Sequence, residues 1–237
     1  MVTLFPVTLT AARAQRHGKT LVGPIDLGLD GAGVTAVIGP NGAGKTTFLR
    51  LLHGTERLCS GTIRWHCSTE EARHHQAFVF QHPVMLRRTV LQNLCYPLTL
   101  RGTPRRAAED QARDWAARIG LGDMLDRPAP MLSGGERQKL ALARAMITDP
   151  ALLFLDEPCA ALDGRATREI EEILHTAKSK GMRLILATHN MGQARRLADD
   201  VVFLLRGRVH ETGTATDFFN QPATPQAKAF LEGDIVE

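Results

Sequence analysis

The chain has 237 residues, 43% hydrophobic and 23% charged, which suits a globular protein with one large core or a core plus a small subdomain. That composition excludes a disordered chain, a collagen and a disulfide scaffold. Lys and Arg number 29 against 25 Asp and Glu, and the resulting +4 suits a neighbour of phosphates without marking a nucleic-acid binder.

Residues 1–6 lack the basic start and apolar core of a signal peptide. Residues 7–9 and 25–29 alternate as half-buried strands do, with Gly18 and Gly23-Pro24 as turns, and predict an antiparallel sheet. Residues 34–38 then run into a glycine-rich turn and a helix beginning about Gly44, the strand-loop-helix order of α/β folds. Residues 63–65 and 77–80 are further strands, separated by the polar stretch 68–76.

After Pro83 the pattern turns helical, from Thr89 to about Ile147. Thr103 is placed to cap a helix with Pro104 in its first turn, and Ala108, Ala112, Trp115, Ala116 and Ile119 follow at helical spacing until Gly120 and Gly122 end it. Strand and helix then alternate again. Residues 152–155 read as a buried strand, Ala166, Ile170, Ile173, Leu174 and Ala177 as one helix face, and 184–187 and 201–205 as strands, with a turn at Arg206-Gly207 and short helices beyond. No apolar run reaches the roughly 18–20 residues that span a bilayer.

Cys59, Cys67, Cys95 and Cys159 form no C-x-x-C pair, and His74-His75 falls in a charged stretch that reads as a surface loop. Reduced thiols in a cytosolic compartment fit better than a structural zinc site.

Gly39-Pro40-Asn41-Gly42-Ala43-Gly44-Lys45-Thr46, followed by Thr47, matches the P-loop pattern between a predicted strand and a predicted helix. Glycines let successive N–H groups face a phosphate, the helix start adds a positive dipole end, Lys45 adds a full charge, and Thr46 offers a hydroxyl to magnesium. The buried strand 152–155 ends in Asp156-Glu157-Pro158, placing two carboxylates where the strand emerges. One carboxylate there can hold magnesium while the next polarises an attacking water.

Leu132-Ser133-Gly134-Gly135-Glu136-Arg137-Gln138 precedes a helix about twenty residues upstream of the acidic pair. Here the chain resembles the nucleotide-binding subunits of ABC transporters, whose signature motif this is, and the resemblance covers essentially the whole sequence. It implies an α/β fold: a P-loop NTPase core with a mostly parallel sheet, an N-terminal antiparallel β subdomain and an inserted α-helical subdomain. Residues 1–82 and 151–237 would form the core with the β subdomain, and residues 83–150 the helical part carrying the signature.

Ser133 and its glycines would cap a helix with free N–H groups, a second anion site. In the family two subunits meet head to tail, so each ATP lies between the P-loop of one and the signature of the other. The resemblance further implies a Q-loop glutamine at Gln81 touching magnesium and the attacking water, magnesium on Thr46, Gln81 and Asp156, and a D-loop at Ala161-Leu162-Asp163. It implies a switch histidine at His189 on the γ-phosphate and Glu157 as general base. By themselves Gln81 and His189 read as ordinary polar residues ending strands. His17, before Gly18, stands where the family stacks adenine on an aromatic ring, a weaker platform that would cost around tenfold in nucleotide affinity. Ala161 stands where the family usually has serine.

The same resemblance implies ATP and Mg2+ as cofactors, a homodimer, transmembrane permease subunits, an indirect solute-binding protein and no nucleic acid, at the cytoplasmic face of the inner membrane. Residues 83–90 would line the groove for the permease, or else belong to the core. No room remains for the regulatory domain of some sugar and molybdate importer subunits. Residues 81–90 and 194–204 look most like tungstate importer subunits, and residues 187–191 echo the phosphate importer group. A non-transport ABC protein would need a coiled-coil insertion or two cassettes. A silent module would have lost Glu157 or His189.

Overall fold

The computed structural model describes residues 3–234 and 236. Met1 and Val2 lie outside the described residues, and with them the start of the stretch read for a leader; Ile235 and Glu237 also lie outside.

The chain opens with an antiparallel hairpin of β1 (Val7–Arg16) and β2 (Lys19–Leu29), turning at His17-Gly18. Val7, Leu9, Ala12 and Ala14 are buried between exposed neighbours, a period that commits one face of the hairpin to the core. Gly23-Pro24, expected as a turn, lies inside β2, and the Gly23 N–H donates to the Gly207 carbonyl at 2.6 Å. β3 (Val34–Ile38) is wholly buried and leads through the glycine-rich loop into α1 (Lys45–His53). β4 (Ser60–Arg64) returns to pair with β1, completing a three-stranded sheet in the order β2-β1-β4.

The polar stretch after β4 contains α2 (Thr69–His74), capped by the Ser68 hydroxyl at 3.1 Å and burying only Ala72, so no apolar period announced it. β5 (Gln76–Val79) precedes the helical region of α3 (Val90–Leu100), α4 (Arg105–Arg118) and α5 (Gly134–Met146). Thr89 and Ser133 cap α3 and α5 with full capping boxes. The expected Thr103 cap is displaced by one residue: Pro104 occupies the N-cap of α4, and the Thr103 N–H closes the end of α3 on Leu98. The residues joining α4 to α5 form two 3-10 turns, Gly122–Met124 and Ala129–Met131, so the helical run is interrupted.

β6 (Leu152–Asp156), α6 (Gly164–Ser179), β7 (Arg183–Ala187), α7 (Met191–Leu197), β8 (Asp200–Leu205), β9 (Arg208–Thr214), α8 (Ala215–Asn220) and α9 (Pro225–Glu232) complete the chain. The main sheet runs β5-β6-β7-β3-β8-β9, parallel except for β9 at the edge. β3, β6 and β7 are buried along their whole length, as expected when both faces of a parallel sheet are covered by helices. β9 escaped sequence reading because its edge residues are mostly exposed and polar. The fold is therefore α/β with a mostly parallel sheet, a separate antiparallel sheet and helices packed on both.

The helical region has its own core, in which Val90, Leu94, Ala108, Ala112, Ala116, Leu140 and Ala143 pack together. Ala141, Leu142 and Met146 on another face of α5 join the cluster built on β6 and β7, tying this region to the sheet. Beneath α1, Phe154 is fully buried, edge-on to His53 at 5.6 Å and stacked with Phe78 at 6.0 Å. Phe154→Ala is expected to cost about 3–5 kcal/mol of stability, read as a lower urea midpoint.

Candidate functional site

The site is built at the ends of parallel strands. β7 lies between β6 and β3, so the residues that follow these three strands meet at one edge, where α/β folds place their ligand crevices. Backbone bonds extend the pairing past the strands: Thr188 N–H donates to the Val37 carbonyl at 3.1 Å, and Glu157 N–H to the Ala187 carbonyl at 2.9 Å.

Residues 39–44 curl between β3 and α1. Gly44, the N-cap of α1, has φ 98°, and a Cβ there would lie 2.5 Å from a Val22 methyl. At Gly39, φ 148°, a Cβ would collide with the Leu204 carbonyl oxygen. Only glycine fits either place. The turn is held by Ala43 N–H on the Pro40 carbonyl at 3.1 Å, and α1 begins with Phe48 N–H on the Gly44 carbonyl at 2.8 Å. The amides just before Phe48 head a helix and lack intrahelical acceptors, which is what an anion requires. Asn41 and Gly42 are exposed at the loop's crest, and Pro40, Thr46 and Thr47 are half-buried.

Lys45 is buried and folds back over its own loop, donating to the carbonyls of Gly39 at 2.8 Å and Pro40 at 3.1 Å. Burial pulls its ammonium below the usual lysine range, against the opposing pull of Glu157 and Asp156. Thr46 Oγ1 donates to Asp156 Oδ1 at 2.9 Å. Burial pushes the Asp156 carboxyl up, partly offset by the Thr46 hydroxyl and by Arg50. A magnesium ion with octahedral bonds near 2.05 Å separates adjacent ligand oxygens by about 2.9 Å, so Thr46 and Asp156 fit two neighbouring positions of that ion. No group of three or more His, Cys, Asp or Glu with metal-binding geometry occurs among the described residues. The remaining positions of such an ion therefore fall to other oxygen donors, as magnesium prefers.

Glu157 has φ 48°, a conformation costing a non-glycine residue about 1–3 kcal/mol. Its carboxylate accepts from His189 Nδ1 at 2.8 Å, with the carboxylate nearly buried and the imidazole 58% exposed. Donation through Nδ1 fixes the ring's orientation and leaves Nε2 for a ligand. Asn190 follows, its N–H on Thr188 Oγ1 at 3.0 Å and its side chain capping α7. Lys45, Thr46, Asp156, Glu157 and His189 thus converge in one chain.

Gln81 leaves β5 two residues beyond Val79, which pairs with Leu155, so it emerges beside Asp156 and Glu157. It is exposed, and no hydrogen bond joins it to the cluster among the described residues. Ser133 and Glu136 face each other: Ser133 N–H donates to Glu136 Oε2 at 2.7 Å, and Glu136 N–H to Ser133 Oγ at 3.4 Å. The Ser133 N–H and hydroxyl hold the Glu136 carboxyl below its usual range. Glu136 is thereby engaged as a capping partner, and Gly134-Gly135 open the helix beside it. Asp163 similarly caps α6 through Ala166 N–H at 2.7 Å. A Cβ on Gly135 would lie 3.1 Å from the Ala166 Cβ, so the starts of α5 and α6 lie together. Among the described residues no hydrogen bond or ion pair links them to residues 39–47. His17 sits exposed at the hairpin tip with φ 49°.

One functional residue escaped sequence reading. Gly207 N–H donates to the Ala43 carbonyl at 3.0 Å while its own carbonyl receives Gly23 N–H. The β8–β9 turn thus braces the phosphate loop against the antiparallel sheet. Arg206-Gly207 was legible only as a turn, since nothing local tells what a turn will touch.

A family model described as ABC transporter matches residues 22–160. The chain is similar to the phosphate import ATP-binding protein PstB 2 of Natronomonas pharaonis, 38% identical over 92% of this chain and 84% of that protein. It is equally similar to the tungstate uptake system ATP-binding protein TupC of Peptoclostridium acidaminophilum, 38% identical over 90% of this chain and 99% of that one. The arginine transport ATP-binding protein ArtM of Bacillus subtilis is 35% identical over 84% of this chain and 87% of its own length. In fold it is similar to cbiO1 of Clostridium perfringens, described as part of the ABC transporter complex cbiONQ, with TM-score 0.81 and 24% identity over 96% and 95% of the two chains. With a family match over more than half its length and relatives of this similarity, the chain belongs to the ABC transporter family of ATP-binding proteins.

Proposed function

We propose that this chain binds and hydrolyses ATP as the ATPase subunit of an importer whose cargo is an inorganic oxyanion, tungstate first. The observation that carries the catalytic part is the convergence of Lys45, Thr46, Asp156, Glu157 and His189 on one sheet edge. The P-loop amides and Lys45 hold the β- and γ-phosphates. Thr46 and Asp156, which lie together, would hold a magnesium ion, with Gln81 after β5 as a further oxygen donor. The ion, when bound, neutralises charge on the phosphates. Glu157 accepts the proton of the attacking water, and His189, tied to it at 2.8 Å, keeps the carboxylate aimed and, when doubly protonated, would donate its Nε2–H to the γ-phosphate.

The start of α5, with Ser133, Gly134 and Gly135 at its N-terminal end, is a second anion site away from the first. A head-to-tail homodimer brings each of these against the P-loop of the partner, with Asp163 and Glu136 at the seam, and ATP closes the pair. His17 lies at the tip of the hairpin whose Val22 packs on Gly44 and would serve as the adenine platform. Phe80 and Val84, on either side of Gln81 in the chain, expose apolar surface, with Val84 at 73% exposure, as a permease-binding surface requires. No helix among the described residues is long and apolar enough to cross a membrane. Attachment at the cytoplasmic face is therefore assigned to permease subunits, with a solute-binding protein acting only through them.

Tungstate is favoured by the match to TupC, which extends over 99% of that protein. Phosphate is the second reading, on the equal identity to PstB 2.

Glu157→Gln should keep ATP binding and lower turnover by about 10²–10⁴-fold, seen as a stable ATP-bound dimer in size-exclusion chromatography; near-normal hydrolysis removes Glu157 as the base. Lys45→Ala should weaken ATP binding by about ten- to a hundredfold in equilibrium titration, and unchanged affinity would refute the phosphate assignment. Reconstituted with its permease and binding protein, the ATPase should be stimulated by tungstate above molybdate and phosphate. Stimulation by phosphate alone would reassign the cargo.

A further inference from the structure

His189 is held in place by little of its own. Its side chain is 58% exposed and its hydrogen bond to Glu157 is its one ion-pair contact among the described residues. Its position is set between Thr188, whose N–H is bonded to the Val37 carbonyl, and α7, which starts two residues later and is only seven residues long. A helix this short has no stability of its own in water, so tertiary contacts decide where its first turn lies.

Three contacts hold α7. Ala194 and Leu197 are buried, Arg195 lies over the Phe219 ring at 4.6 Å, and Arg196 forks onto Glu171 of α6 through Nε to Oε2 at 2.8 Å and Nη2 to Oε1 at 2.7 Å. The first two grip the helix through its middle and outer faces. The third differs in direction. A Cβ on Gly192 would lie 3.1 Å from Arg196 Nη1, so the guanidinium runs back along the helix onto its first turn, three residues after His189. Long helical side chains lean this way. Glu171 is 8% exposed at its side chain, and a carboxylate so buried is held to its partner by the cost of separation. Two parallel bonds also resist rotation that a single bond would permit.

The other end of this arrangement reaches the catalytic carboxylate. Gln193, also in the first turn of α7, is buried at 1% exposure beside the thiol of Cys159, two residues after Glu157. Burial pushes that thiol up to about 12, so it stays a neutral packing group. α7 is therefore pressed between the turn that carries Glu157 and the helix that carries Glu171, with its first turn locked by Arg196.

We propose that the Glu171–Arg196 pair is a positioning device for hydrolysis, holding the first turn of α7 so that His189 stays on the Glu157 carboxylate. Because α6 begins at Asp163 and packs at Ala166 against Gly135 of the signature segment, the pair also joins the switch histidine to the surface offered to a partner subunit. The proposal rests on the reading of Glu157 and His189 as catalytic.

The test uses the full chain and measures ATP affinity by titration and hydrolysis by single turnover, which keeps slow variants measurable. Arg196→Ala should slow hydrolysis on the order of 10- to 100-fold with ATP affinity unchanged. Arg196→Lys, which keeps the charge and loses the fork, should fall between it and the parent. In a His189→Ala background, Arg196→Ala should have no further effect, because what it positions is gone. Hydrolysis within about twofold of the parent, a rate loss that multiplies with His189→Ala, or a parallel loss of ATP affinity overturns the proposal; each factor of two is about 0.4 kcal/mol. Should Arg196→Ala fail to fold, Glu171→Gln and Arg196→Lys are judged by the same three criteria. His189→Ala alone separates the two levels: parental turnover in that variant refutes the catalytic reading, whereas its loss with an unaffected Arg196→Ala refutes only the positioning role.

Discussion

The hydroxyl of Thr46 and the carboxylate of Asp156 meet at 2.9 Å although 110 residues separate them. Thr46 belongs to the first turn of α1 and Asp156 to the end of β6, with β7 lying between β6 and β3. For these atoms to meet, β3, β6 and β7 must be parallel, in register and fully buried, and the loop after β3 must turn within a few residues. The glycines at 39 and 44, the brace from Gly207 and the buried aromatic stack under α1 all serve that requirement.

Around this contact the charges are arranged against burial. Lys45, Asp156 and Glu157 are all drawn out of water at one sheet edge, and burial works against the charged forms of Lys45 and Asp156. Lys45 attracts both carboxylates, whereas Glu157 and Asp156 repel each other, a repulsion that a divalent cation beside them would relieve.

Much of this was legible in the residues. The P-loop, the strand-ending acidic pair and the signature segment each carry local chemistry: glycine where the backbone must turn sharply, a serine before two glycines to cap a helix, and carboxylates after an apolar run. α2 and β9 were not legible because neither buries enough apolar surface to leave a period. The Thr103 cap failed because Pro104 takes an extended ψ of 142°, so the helix starts at Arg105 and the boundary falls on the proline itself. His189 and Gln81, undistinguished locally, were found only through resemblance.

From sequence came the candidate phosphate-loop, carboxylate and capping groups and the order in which the chain presents them, since glycine turns, capping and strand burial each depend on a few adjacent residues. The tertiary structure decided which of those groups meet. It set Thr46 on Asp156 and His189 on Glu157, placed Gly207 behind the phosphate loop and locked Arg196 onto Glu171. Those pairings follow from strand order and helix packing, and contacts between residues 25 or more apart leave no trace in local periodicity.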